Sequence, residues 1–172
     1  MRFAYADPPY VGQAKRHYAN DPSGIPATEI DHKALVQCLH TIGGDGWALS
    51  CSSPSLRQIL PLCPQEARVM VWVKPFCSFK PNVRIAYAWE PVIVWGGRPR
   101  EKRQETVRDW VSANMTMRRG THGAKPDTFC YAIFEWLNIK PEDEFFDLFP
   151  GSNAVMRAFK TWRESPRLDF TP

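Results

Sequence analysis

Two adjacent prolines sit directly behind a short apolar run. Phe3-Ala4-Tyr5-Ala6-Asp7 is followed by Pro8-Pro9-Tyr10. Proline lacks an amide proton and fixes φ, so a strand that starts at Met1 has to stop at Asp7. The weak alternation and the Phe, Tyr and Ala content make residues 1–7 a short buried strand. Its carboxyl end therefore delivers an acid, a stiff turn and an aromatic ring to one place.

The elements behind it alternate. Residues 12–26 are polar and turn-rich, a loop. Ile30, Ala34, Leu35, Cys38, Leu39 and Ile42 fall on one helical face, and Gly43-Gly44 ends that helix. Residues 47–51 are a second strand, 54–62 a short helix behind a Ser-Ser cap, and 68–73 a third strand. A loop over 75–81 leads to a β-rich stretch, 83–95, in which Pro91 indicates an edge strand or a bulge. Residues 96–123 are polar, basic and poorly periodic, a long loop that is functional or mobile. Lys125-Pro126-Asp127 opens a helix with the stripe Phe129, Ala132, Ile133, Trp136 and Leu137. A strand over 144–149, the turn Pro150-Gly151-Ser152-Asn153 and a helix over 154–162 follow, then an irregular tail. Strands alternating with helices give an α/β fold with a mostly parallel sheet, in one domain spanning residues 1–172.

Composition narrows the function classes. Hydrophobic residues are 44% and charged residues 23% of the 172, a balance that folds. No apolar run reaches the roughly 20 residues a membrane helix needs, and the N-terminus turns acidic too soon for a signal peptide; a cytoplasmic protein is expected. Five scattered cysteines without a Cys-x-x-Cys pair, and four histidines without ligand spacing, point to reduced, mostly packed thiols and no metal. The net charge of +4 permits a polyanionic partner, and Arg98, Arg100, Lys102, Arg103, Arg108, Arg118 and Arg119 crowd into one stretch.

Two motifs can carry chemistry. An exocyclic amine on a nucleobase is a poor nucleophile, because its lone pair is delocalised into the ring. A site that alkylates it must accept hydrogen bonds from it and align it. Asp7 offers a carboxylate, the Pro8 carbonyl a second acceptor aimed by the prolines, and Tyr10 a face for stacking. Alignment supplies at most about 7–11 kcal/mol. The alternative reading is an ordinary strand-ending turn. The second motif, Asp147-Leu148-Phe149-Pro150-Gly151-Ser152-Asn153, is a strand–turn–helix junction. Its small residues let backbone approach a ligand, and the helix start favours anionic groups.

Asp-Pro-Pro-Tyr, then Lys125-Pro126 with Phe129, then Asp147-x-Phe149-x-Gly151-Ser152 resembles the motif order of the permuted adenine amino-methyltransferases. These include the beta-class bacterial and phage DNA enzymes and the family of the eukaryotic messenger-RNA adenine methyltransferase catalytic subunit. The likeness runs from Phe3 to about Lys160. It takes in Val71-Trp72-Val73-Lys74, residues 84–90 and the run Val92-Ile93-Val94-Trp95-Gly96-Gly97-Arg98. It implies a Rossmann-like S-adenosylmethionine-dependent methyltransferase fold in minimal form, with an antiparallel hairpin, acting on N6 of adenine in nucleic acid, DNA ahead of RNA.

By that resemblance, Asp7, Pro8, Pro9 and Tyr10 are catalytic. Asp7, Lys125, Asp147, Phe149, Pro150, Gly151, Ser152 and Asn153 bind the methyl donor, with Lys125 on its carboxylate. Lys15, Arg16 and Tyr18, with Arg98, Arg100, Lys102, Arg103, Arg118 and Arg119, contact nucleic acid, and Trp110 and Met115 wedge or stack. The loop over 74–80 covers substrate.

Two departures stand out. Asn153 replaces a second turn glycine, which asparagine's tolerance of left-handed backbone allows. A strand acid for the donor's ribose is missing, Asp169 being the only aspartate in the tail, so either donor affinity is weak or a homo- or heterodimer completes the donor pocket. The competing readings are a silent nucleic-acid-binding relative serving a partner, and methylation of another amine such as cytosine N4. Asp7, where those families favour Ser or Asn, tilts the reading to adenine.

Overall fold

A computed structural model describes residues 1–13, 29–77, 83–115 and 124–165. Six strands form one sheet: β1 (Arg2–Ala6), β2 (Gly46–Ser50), β3 (Arg68–Val73), β4 (Trp89–Gly96), β5 (Trp110–Ser112) and β6 (Glu144–Asp147). Their order across the sheet is β5-β3-β4-β2-β1-β6. β4 runs antiparallel to both its neighbours, and the other pairings are parallel, so five strands share one direction. This is the expected mostly parallel α/β sheet with its antiparallel hairpin.

Helices cover both faces, which is why β1 is apolar and buried from Phe3 to Ala6. Phe3 and Tyr5 face one cluster together with Trp72, Val92 and Val94, under α3 (Asp127–Trp136) and α4 (Ala154–Glu164). Ala4 and Ala6 face the other with Trp47, Leu49 and Ile93, under α1 (His32–Ile42) and the short α2 (Leu56–Ile59). Sheets buried on both sides read as continuous hydrophobic runs. From β1 the chain crosses to β2 on one side, while β6 adds to β1 on the other. The carboxyl edge between β1 and β6 is thus the topological switch point, where α/β sheets bind ligands.

Several expectations shift. α1 buries His32, Leu35, Val36 and Leu39 and leaves Ala34 and Cys38 exposed. The i, i+3, i+4, i+7 spacing fits two adjacent stripes, and the larger aliphatics take the core. Asp31 caps this helix, its carboxylate accepting from the Lys33 and Ala34 amides. Pro91 lies not on an edge but inside β4, which is central. Its carbonyl accepts from Cys51 N at 3.1 Å, just past the end of β2. In a strand the amide and carbonyl of one residue point the same way, so the missing donor falls where β2 has run out. The long loop contains β5, three residues too short to show periodicity. The sixth strand ends at Asp147 rather than 149, because the Asp147 carboxylate accepts from Phe149 N at 3.1 Å and turns the chain.

Candidate active site

Five strand ends bring side chains to the carboxyl edge of the sheet. Asp7 follows β1, Ser50 and Cys51 close β2, Lys74 follows β3, and Asp147 ends β6. β4 runs the other way, so its second residue, Glu90, reaches the same edge. Lys125 precedes α3, whose first turn starts behind Pro126, and its ammonium is carried in over the Trp72 and Phe129 rings at 5.2 and 5.4 Å.

The result is a buried ionic cluster. Lys125 Nζ lies 2.6 Å from Glu90 Oε1 and 3.1 Å from Asp7 Oδ2. Lys74 Nζ lies 2.8 Å from Glu90 Oε2. The Tyr10 hydroxyl lies near Glu90 and Asp7. Behind Asp7, the Tyr5 and Ser50 hydroxyls share a buried hydrogen bond of 2.8 Å. Pro8 and Pro9 are buried, while Asp7 keeps 26% of its side-chain surface open, against 6% for Glu90.

Two ammoniums and two carboxylates balance, which is the condition for burying charge at all. Their proton affinities follow from placement. Burial pushes the Asp7 carboxyl up and Glu90 adds to this, and the attraction of Lys125 does not fully offset them. Burial also acts on Glu90, but Lys125 and Lys74 together outweigh it and hold that carboxyl below its ordinary range. Burial opposes the charge on Lys125, and the two acids overcome it and raise its proton affinity, so it stays an ammonium. Tyr10 is raised well above its ordinary value, by burial first and then by Glu90 and Asp7.

The Asp147 turn lies alongside. Asp147 pairs with Tyr5 in the β1–β6 ladder, and Leu148 N donates to Tyr5 O at 2.9 Å. Burial, aided by Asp7, raises the Asp147 carboxyl to about 6, against the opposing Phe149 amide. Pro150, Gly151, Ser152 and Asn153 are exposed, with Gly151 at φ 43° and Asn153 at φ 57°. Both lie in the left-handed region that Gly and Asn adopt most readily. This leaves an open backbone turn at the head of the 11-residue α4. A buried ammonium on one side and this turn on the other suit an amino-acid carboxylate and a close-lying nucleoside part.

The structure brings Asp7, Tyr10 and Lys125 together, with the 149–153 turn beside them. Glu90 and Lys74 were not singled out, although an acid inside Trp89-Glu90-Pro91-Val92-Ile93-Val94 was a visible signal: a carboxylate in an apolar strand needs a buried partner. Lys74 belongs to the cluster rather than to a covering loop. Lys15, Arg16, Tyr18, Arg118 and Arg119 lie outside the described residues.

The basic stretch divides. Arg98 is held in a structural pair, its Nη2 2.7 and 2.8 Å from the two oxygens of Asp143, a carboxylate only 2% exposed. Arg100 is likewise tied down, donating to the Glu105 and Glu135 carbonyls at 3.1 and 2.5 Å. Lys102, Arg103 and Arg108 are exposed, and Arg108 stacks over the half-exposed Trp110 at 5.4 Å. Met115 packs on the core and is no wedge. All five cysteines are free; Cys38 is exposed rather than packed. Among the described residues, no group of three His, Cys, Asp or Glu could hold a metal ion, and no helix is long and apolar enough to cross a membrane.

The fold is similar to solved structures. One is the crystal structure of M1.HpyAVI in complex with SAM, with a TM-score of 0.62 and 14% sequence identity over 95% of this chain and 78% of that one. Another crystal structure of M1.HpyAVI gives a TM-score of 0.60 and 14% identity over 95% and 77%. No protein-family model matches the chain, and no curated protein does.

Proposed function

We propose that this chain transfers a methyl group from S-adenosylmethionine (SAM) to an exocyclic amine of a nucleic-acid base, and that the acceptor is N6 of adenine in DNA. The observation that carries this reading is the pairing of Asp7, on its proline turn, with buried Lys125 beside the 149–153 turn, all at the switch point of the sheet. The fold shared with a SAM-bound protein supports it.

SAM supplies an electrophilic methyl on a positively charged sulfur, so the chain has only to align an amine with it and absorb a proton. Lys125 would take the amino-acid carboxylate, and the open 149–153 turn would lie against the nucleoside part. Asp7, in its charged form, accepts a hydrogen bond from the target amine, draws electron density onto nitrogen and is placed to take the proton that the methylated nitrogen gives up, and the Pro8 carbonyl provides a second acceptor. Tyr10 stacks on the extruded base. Lys102, Arg103 and Arg108 would meet phosphates.

Transfer of a tritiated methyl group from SAM to unmethylated DNA and RNA, run beside Asp7→Ala, tests this. Incorporation into DNA that disappears in the variant, and N6-methyl-2′-deoxyadenosine after digestion to nucleosides, is expected. Equal incorporation by both proteins sinks the role of Asp7. A product methylated on cytosine sinks the choice of base.

A further inference from the structure

The structure assigns Glu90 a role of its own: we propose that it is a positioning residue, which draws Lys125 off Asp7 so that Asp7 can accept the target amine. This rests on the methyl-transfer reading of Asp7 and Lys125. Asp7 and Glu90 compete for one ammonium, and the shorter contact goes to Glu90, 2.6 against 3.1 Å. Glu90 is also the more deeply buried of the two, so water competes least for it. Lys74 grips its other oxygen at 2.8 Å and fixes the carboxylate from the far side. In the β3–β4 ladder Glu90 stands opposite Trp72, and both ammoniums lie over that ring, Lys74 at 4.5 Å and Lys125 at 5.2 Å.

Without Glu90 the ammonium would belong to Asp7 alone. An acid in a full ion pair is a weaker acceptor for an incoming amine, and its proton affinity falls. Tyr10 also lies near Glu90, so one carboxylate neighbours both the lysine assigned to the donor and the ring assigned to the acceptor. That coupling explains why a strand in the apolar core tolerates an acid: its partners were built around it.

The charged and titratable groups around Asp7 are Lys125 ahead of α3, Glu90 on β4, Lys74 after β3, Tyr5 on β1, Tyr10 after it, Cys51 after β2 and Asp147 on β6. Two changes move Asp7 in opposite directions. Glu90→Gln removes a like charge, so the acid limb of the kcat profile moves to lower pH. Lys74→Met removes an opposite charge, so that limb moves to higher pH. Glu90→Gln also lowers kcat, by about 100-fold from misplacement of the aligned groups.

A kcat that falls with an unmoved acid limb, an unchanged kcat, or shifts of the same sign in both variants would overturn the proposal. A folding defect moves both variants alike and cannot mimic opposite shifts. Carbon-13 NMR titration of the Asp7 carboxylate in ligand-free protein gives an independent readout, expected to move down in Glu90→Gln and up in Lys74→Met. If wild-type protein transfers no methyl, the reading of the function has failed; if the Asp7 titration also stays put, the positioning role has failed separately.

Discussion

Replacing Lys125 with Met keeps the length and apolar stem of the side chain and deletes one charge. Breaking a buried ion pair from one side costs roughly 3–5 kcal/mol, because a charge is left without its partner. Here the cost is set by what remains. Glu90 keeps Lys74 at 2.8 Å, and Asp7 is 26% exposed, so water can take over part of its solvation. The lower end, about 3 kcal/mol, is therefore expected. For a chain of this size that lowers Tm by about 6–12 °C, measured by thermal unfolding followed by tryptophan fluorescence.

The pH dependence of that loss has a definite sign. Glu90 lies below the ordinary carboxylate range because of Lys125 and Lys74, against its burial, so it stabilises the fold above that range and loses the effect as pH falls through its folded value. Asp7, already raised by burial, rises further without the ammonium and takes up a proton first. The gap between wild type and Lys125→Met is thus widest near neutrality and narrows in acid, beginning above the ordinary carboxylate range of about 4. Calorimetry with SAM should show affinity weaker by about 10- to 100-fold, the equivalent of one charge-assisted hydrogen bond of about 1.5–3 kcal/mol. An unchanged Tm, or a loss of stability that does not vary with pH, would refute the electrostatic account. A full loss of stability with unaltered SAM affinity would refute the assignment of Lys125 to the donor.

Asp147 is raised to about 6 from 3.8, so the folded state holds its proton more tightly and stability is lost as pH rises between about 4 and 6. Asp147→Asn, which keeps an acceptor for Phe149 N, should be more stable than wild type at pH 8 by up to about 3 kcal/mol and equal to it at pH 3, by urea unfolding at both. Arg98→Ala should cost about 2–3 kcal/mol, because Asp143 then retains only the N-terminal ammonium at 2.8 Å and the Lys140 amide at 2.7 Å. It should leave the salt dependence of DNA binding unchanged, whereas Lys102→Ala with Arg103→Ala should lower the slope of log K against log salt by about 2. In Gly46→Ala the new Cβ would overlap the backbone nitrogen of Gly97, which cannot move aside as a side chain could, so a loss of about 1–3 kcal/mol is expected. Gly44→Ala, whose Cβ meets only the tip of Arg2 at 3.3 Å, should melt almost as wild type does.

The strands with long apolar runs were legible because both faces of the sheet are buried: β3 falls where Arg68 to Val73 predicts it. So was Asp7, since two prolines leave a strand no way to continue. What sequence could not supply was partnership across distance. Arg98 and Asp143 are 45 positions apart, and Lys125 and Glu90 35, with no local pattern to join them. An arginine bound for phosphate and one bound for a buried carboxylate look alike in a basic stretch. β5 escaped notice because three residues show no period, and its place comes from pairing with β3.

The reversed direction of β4 is what makes the site possible. A strand parallel to its neighbours presents only its last residues at the carboxyl edge, and there the chain leaves the sheet for a loop. β4 presents its first residues there, still held in the ladder with β3, so Glu90 arrives at the edge on a rigid element rather than on a loop. The pairing with β2 ends at Ser50 and Val92, and Cys51 makes one last bond to Pro91. Past that point β2 no longer pairs with β4. The same ending spares Pro91 an unmade hydrogen bond next to Glu90. A β2 two residues longer would bury that edge, and a non-proline residue at 91 would offer an amide for the extension to pair with. Pro91, which as a sequence feature argued for an edge strand, is better understood as the residue that stops a central ladder where the ionic cluster begins.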